Sequence, residues 1–127
     1  MQLPHEHLAE IVTCLRRDSR DRMNQERRVL PRFRVWAPVD IYPMPGQGAG
    51  GVSRPVTVWL RDLSRGGMGL MHTRAMRVGE QFLIRLPLID GDPMPLRCEV
   101  VYCRGATGDL FSLGCRFLGR YEGSTNT

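Results

Sequence analysis

Two periodicities divide this chain. Near its start, Leu8, Ile11, Val12 and Leu15 fall at i, i+3, i+4 and i+7, which puts them on one stripe of a helix. The spacing predicts a helix from His5 to about Asn24, with Pro4 in a first turn, where proline is tolerated. The stripe fades after Leu15, because Arg16, Arg17, Asp18, Ser19, Arg20, Asp21 and Arg22 are charged or polar. Only Met23 could continue it, so the helix is expected to fray towards its end. From Phe33 onward the period is two, as along half-buried strands.

Phe33, Val35, Ala37, Val39 and Ile41 alternate along a first strand that ends near Tyr42. Residues 43–53 form a Pro/Gly loop without periodic apolar positions. A second strand, Arg54 to Leu63, turns Val56, Val58 and Leu60 inward, and a third runs from Met68 to Thr73. A fourth, Gln81 to Leu88, buries Phe82, Ile84 and Leu86. A fifth, Met94 to Arg104, buries Leu96, Cys98, Val100 and, by the same parity, Tyr102. A sixth, Leu110 to Leu118, buries Phe111, Leu113, Cys115 and Phe117, and a polar tail follows. Six short strands joined by Gly, Pro and Asp turns suggest an antiparallel barrel or sandwich. Closure into a barrel would remove the free edges such strands otherwise leave.

Parity also puts Trp36 and Trp59 on the face away from the core. Two outward tryptophans on neighbouring strands are unusual. The reading is that the Leu8–Leu15 stripe or a second subunit covers them. The stripe itself suits packing on the barrel, or a dimer or partner surface.

The length of 127 residues, 42% of them hydrophobic, suits one domain with a modest core. The division expected is a helical extension over 1–24, a barrel domain over 25–119 and a flexible tail over 120–127. The net charge is +5, and every cation is arginine, with no lysine. Codon bias in a GC-rich genome would account for that. The sharper reading is that some guanidinium forks grip phosphate or guanine bidentately, which lysine cannot do. No apolar run approaches the roughly 20 residues of a membrane span, and His5, Glu6, His7 and Glu10 do not fit a secretory signal. The four cysteines read as reduced thiols in a cytoplasmic protein.

The chemistry of the side chains excludes several classes. There is no Cys-x-x-Cys pair, and the histidines His5, His7 and His72 are scattered. Cys98 and Cys103 have opposite strand parity, so a regular strand would not turn both to one site. No metal site is expected. Ser64 lacks the context of a nucleophile, and Asp90 and Asp92 flank a turn glycine, so the chain is not read as an enzyme. A basic barrel could bind a nucleic-acid polymer, but beyond the two tryptophans no exposed aromatics line up as a stacking platform.

Two clusters remain. Arg27, Arg28, Arg32 and Arg34 crowd residues 25–34, where Pro31 opposes a helix, and this predicts a mobile, strongly positive arm leading into the first strand. Asp62-Leu63-Ser64-Arg65-Gly66-Gly67 is a polar corner between the second and third strands. Asp62 offers acceptor oxygens, Ser64 a hydroxyl, and Gly66 and Gly67 a backbone that a ligand can approach closely.

Arg28-x-x-x-Arg32 and Asp62-x-Ser64-x-x-Gly67 resemble, in order and context, the two signatures of the PilZ domain family. Leu113-Gly114-Cys115-Arg116-Phe117 resembles its closing Gly-x-x-Phe strand. The resemblance covers residues 26–119. It implies a mainly β fold, a six-stranded antiparallel β-barrel, here with an N-terminal α-helix. It also implies a non-enzymatic receptor for the bacterial second messenger cyclic di-GMP, with no further cofactor. In that reading Arg28 and Arg32 contact phosphate and guanine, and Asp62, Ser64, Gly66 and Gly67 hold a guanine on the barrel surface. Asp62 would accept from guanine N1 and N2. Gly67 would allow an approach that a Cβ blocks. Arg27, just before the motif, is similar to members that bind two intercalated ligand molecules. The expected output is a relay to a protein partner, with a homodimer compatible and no membrane insertion. The alternative is a PilZ-like interaction adaptor whose ligand site is silent.

Overall fold

The structure is a computed structural model, and it describes residues 1–17, 32–44, 54–89 and 91–121. One helix, α1 (His5–Arg17), precedes six strands: β1 (Phe33–Pro43), β2 (Val56–Leu63), β3 (Gly67–His72), β4 (Gln81–Leu86), β5 (Met94–Gly105) and β6 (Phe111–Arg120). The strands close into a barrel in the order β1-β2-β3-β6-β5-β4, each antiparallel to its neighbours. Closure comes where Ile41, Tyr42 and Pro43 pair with Ile84, Leu83 and Phe82. Pro43, read from the sequence as the start of a loop, is thus the last residue of β1. The rest of the Pro/Gly loop lies outside the described residues, as does the predicted continuation of the helix to Asn24.

The period-two positions fill the barrel. Val35, Ala37, Ile41, Val58, Leu60, Phe82, Ile84, Leu86, Leu96, Cys98, Val100, Leu113, Cys115 and Phe117 are buried in one cluster. Leu8, Ile11, Val12 and Leu15 join that same cluster, together with Leu3. The helical stripe therefore packs on the barrel. Each such side chain contributes about 1.5–3 kcal/mol by leaving water, which is how a short isolated helix holds its place.

Both ends of this N-terminal element are tied down. Leu3 N–H donates to the Arg65 carbonyl (2.8 Å), and Arg65 Nε donates back to the Leu3 carbonyl (2.8 Å). At the other end, Arg16 Nε and Nη2 donate to the Arg34 carbonyl (3.1 and 2.8 Å). The helix thus spans from the Ser64–Gly67 corner to the beginning of β1.

The stripe does not cover the tryptophans. Trp36 and Trp59 remain 46% and 44% exposed and stack on each other, with ring centroids 5.7 Å apart. Two outward indoles on adjacent strands bury part of their area against one another. Trp36 also sits at φ 54°, a left-handed conformation that a bulky side chain rarely adopts. It lies where the β1–β2 register shifts between Arg34 and Ala37.

Further register shifts break simple alternation. One falls in β2 against β3 between Leu60 and Asp62, and another in β5 against β6 between Val100 and Tyr102. An extra residue in one strand re-aims everything after it. Beyond Val101, Cys103 turns back to pack against the core that also holds Cys98 and Cys115. The parity argument that separated Cys98 from Cys103 fails for this reason. Among the described residues, still, no three His, Cys, Asp or Glu side chains gather as a metal site requires. β6 runs two residues beyond its predicted end, and Tyr121 N–H then donates to the Pro95 carbonyl (3.0 Å).

Candidate functional site

Strict alternation through Val56, Val58 and Leu60 would carry Asp62 into the core. The β2 irregularity prevents this. Arg61 and Asp62 are both half-buried, and Leu63 takes the inward position instead. A cation and an anion thereby stand side by side on the outer surface, where Arg61 Nε donates to Asp62 Oδ2 at 2.8 Å.

The corner that follows is a tight turn. Ser64 N–H donates to the Gly67 carbonyl (2.9 Å), and its hydroxyl donates to the same oxygen (3.2 Å). Phe117 N–H donates to the Gly66 carbonyl (2.9 Å), fastening the turn to β6. The two glycines differ in what they permit. A Cβ on Gly67 would strike the Cys115 carbonyl oxygen and lie 3.1 Å from Arg116 Cα, so this glycine allows β3 and β6 to pair closely. Close strand pairing is thus a reason for glycine here in addition to the ligand approach expected from the sequence. Among the described residues, a Cβ on Gly66 would have only Gln2 Nε2 near it, at 3.8 Å. Gly66 is the glycine of the pair with open space.

A surface cavity of about 230 Å³ adjoins this corner, lined by Arg32, Arg61, Ser64, Gly66, Gly67, Met68, Gly69, Val101, Tyr102, Gly114 and Cys115. Arg32 reaches it from the start of β1, where its Nη1 lies 3.5 Å from Asp62 Oδ1. Arg32, from the described end of the predicted arm, and the acidic corner therefore meet at one place. Of the residues named from the sequence, Arg32, Asp62, Ser64, Gly66 and Gly67 are brought together here. Arg27 and Arg28 lie outside the described residues. A larger cavity, about 460 Å³, lies around Ile41, Val56, His72 and Met76 and shares no lining residue with the first.

Other residues of the site were not foreseen. The Arg61 guanidinium forms one wall, with Nη1 donating to Ser112 Oγ (2.7 Å) and lying 3.7 Å from Met71 Sδ. Burial is the largest single influence on its pKa and acts to lower it. Hydrogen bonds to Asp62 and Tyr102, with their charges, outweigh burial and raise the pKa above the ordinary value. Gly69 makes room for this arrangement, because a Cβ there would strike the Arg61 guanidinium and lie 2.8 Å from Asp62 Oδ1. Gly114 does the same for Tyr102, whose ring occupies the space where a Cβ would stand. Tyr102 was expected inside the barrel, but the β5 irregularity turns it out to this surface, with Arg104 over its ring at 4.5 Å. The signal was present as glycines inside strands, which mark close approach of other groups.

What the arrangement can do follows from its parts. It offers a planar aromatic face, bare backbone and an edge of alternating cations and carboxylate. It lacks a nucleophile paired with a base among the described residues. The family model described as PilZ domain matches residues 21–124. The chain belongs to the PilZ domain family. PilZ domains are receptors for cyclic di-GMP and are generally non-catalytic. No curated protein and no solved structure matches this PilZ domain significantly. Among its described residues, no helix is long and apolar enough to cross a membrane.

Proposed function

We propose that this chain is a non-enzymatic receptor that binds cyclic di-GMP between the Arg27–Arg32 arm and the Asp62–Gly67 corner and relays occupancy to a protein partner. The observation that carries this reading is the approach of Arg32 to Asp62, 3.5 Å apart at the rim of one cavity. The two halves of the site come from segments thirty residues apart in sequence, and both reach the same point. The cavity of about 230 Å³ is smaller than the roughly 300–1,000 Å³ of pockets that enclose a drug-sized ligand. A cyclic dinucleotide would seat one base in it and leave its phosphates outside. Arg27 and Arg28 would then close over those phosphates, as bidentate guanidinium–phosphate pairing favours.

The relay has a physical route. Arg65, inside the corner, exchanges two hydrogen bonds with Leu3, and Arg34, at the arm's exit, is held by Arg16. A ligand that draws the arm onto the corner pulls on both ends of α1. The surface around the helix is where a partner would read the change. In this reading Arg27 favours two intercalated ligand molecules per chain.

Isothermal titration with cyclic di-GMP tests the proposal. Arg28→Ala and Arg32→Ala should each weaken binding by about 2–5 kcal/mol if the charge pair is desolvated. Wild-type affinity in both variants would refute the assignment. An absence of any thermal stabilisation at 100 times the expected dissociation constant, where about 2.7 kcal/mol is due, would leave the adaptor reading in its place.

A further inference from the structure

We infer that Arg61, which lies outside both signatures, sets the base specificity of the site by reading the O6 edge of guanine. This rests on the cyclic di-GMP reading and adds a residue to it.

Arg61 reaches this position through the extra residue in β2, which brings it to the same face as Asp62. Its guanidinium is held at several points. Nε donates to Asp62 Oδ2, and Nη1 donates to Ser112 Oγ. Gly69 supplies the only kind of residue that leaves room beneath it. A long, flexible side chain does not hold one pose without such fastening, so the entropy of ordering it has already been met before a ligand arrives. Arg61 lines the cavity directly, together with Tyr102 and four glycines, Gly66, Gly67, Gly69 and Gly114.

The pairing of Arg61 with Asp62 creates a donor next to an acceptor along one edge. Guanine carries the complement, with the O6 acceptor beside the N1–H donor and N2–H beyond. Adenine presents an N6–H donor where guanine has O6, so its amino group would meet the Arg61 N–H groups head on. Asp62 alone could accept from the amino group of either base. The arginine beside it is what turns a general acceptor into a guanine reader.

The test compares cyclic di-GMP with cyclic di-AMP by isothermal titration, because their phosphates and ring are the same. Wild type should prefer the guanine dinucleotide. Arg61→Ala should shrink that preference by about 5- to 150-fold, the range of one bidentate base contact, and Arg61→Lys should not restore it. Gly69→Ala, whose methyl group meets the guanidinium, should shrink it as well. Circular-dichroism melts of the variants report folding separately. If wild type discriminates and the Arg61 and Gly69 variants discriminate equally well while folded, Arg61 has no such role. If Arg61→Ala fails to fold, Gly69→Ala and Arg61→Lys decide the question alone. Wild type that binds neither dinucleotide would overturn the receptor reading itself, and this assignment with it.

Discussion

Alanine at Gly67 and alanine at Gly66 should behave oppositely, although the residues are neighbours in one turn. At Gly67 the new methyl group would run into the Cys115 carbonyl oxygen and stand 3.1 Å from Arg116 Cα. These are backbone atoms of the β3–β6 ladder, in which Gly67 pairs with Arg116, so they cannot rotate aside. Overpacking of this kind costs about 1–3 kcal/mol. Glycine-to-alanine replacement also restricts the unfolded chain and returns about 0.4–1 kcal/mol. The middles of these two ranges leave a net loss of about 1.3 kcal/mol. For a domain of this size that lowers Tm by roughly 4–8 °C. At Gly66 the nearest atom is the end of the Gln2 side chain at 3.8 Å, and the residue is not among the glycines with positive φ. Stability there should change by no more than about 0.5 kcal/mol. Gly66 lines the cavity, so its methyl group should weaken cyclic di-GMP binding while Tm holds. Calorimetric melts and isothermal titration on both variants supply the numbers. A Gly67→Ala protein that melts with wild type would refute the close-pairing argument, and a Gly66→Ala protein that binds like wild type would remove Gly66 from the site.

Two further predictions concern the backbone at Trp36 and the buried thiols of the barrel. Trp36→Gly and Trp36→Ala both remove the indole, so their difference isolates the backbone at φ 54°. The glycine variant should be more stable by about 1 kcal/mol in urea titrations, and equal stability would mean that no strain resides there. Burial pushes the Cys115 thiol up to about 12 from 9.0, and pushes Cys98 up as well. A thiol whose pKa is raised by folding keeps its proton in the native state while the unfolded chain loses it. Its contribution is therefore complete below about pH 9 and is lost as pH rises towards about 12, at up to about 1.4 kcal/mol per pH unit for each thiol. Urea midpoints measured between about pH 8 and about pH 11 should fall, and Cys115→Ala should fall less steeply. Parallel slopes would refute the linkage.

The period-two pattern was enough to identify five of the six strands and most of their inward residues, because burial on one face of a strand leaves an alternation that survives in sequence; β3, buried along nearly its whole length, was legible as an apolar run instead. The helix was legible for the same reason, since Leu8, Ile11, Val12 and Leu15 do enter the core. What alternation could not carry was its own interruption. A single extra residue leaves no composition signal, yet it decides that Asp62 faces out, that Tyr102 leaves the interior and that Cys103 returns to it. The site was therefore readable only at its signature positions. Arg61 was hidden in a chain where every cation is arginine. The strand-pairing reason for Gly67 was not legible, since its neighbour Cys115 lies nearly fifty residues away.

The reciprocal grip between Leu3 and Arg65 has an experimental side. Any handle, fluorophore or fusion spliced ahead of the helix emerges at the rim of the cavity beside the Ser64–Gly67 corner, within reach of Gly66. A bulky one there would crowd the mouth and disguise a competent receptor as a silent barrel. A small environment-sensitive dye at the same spot would instead signal occupancy directly, without a partner in the cuvette.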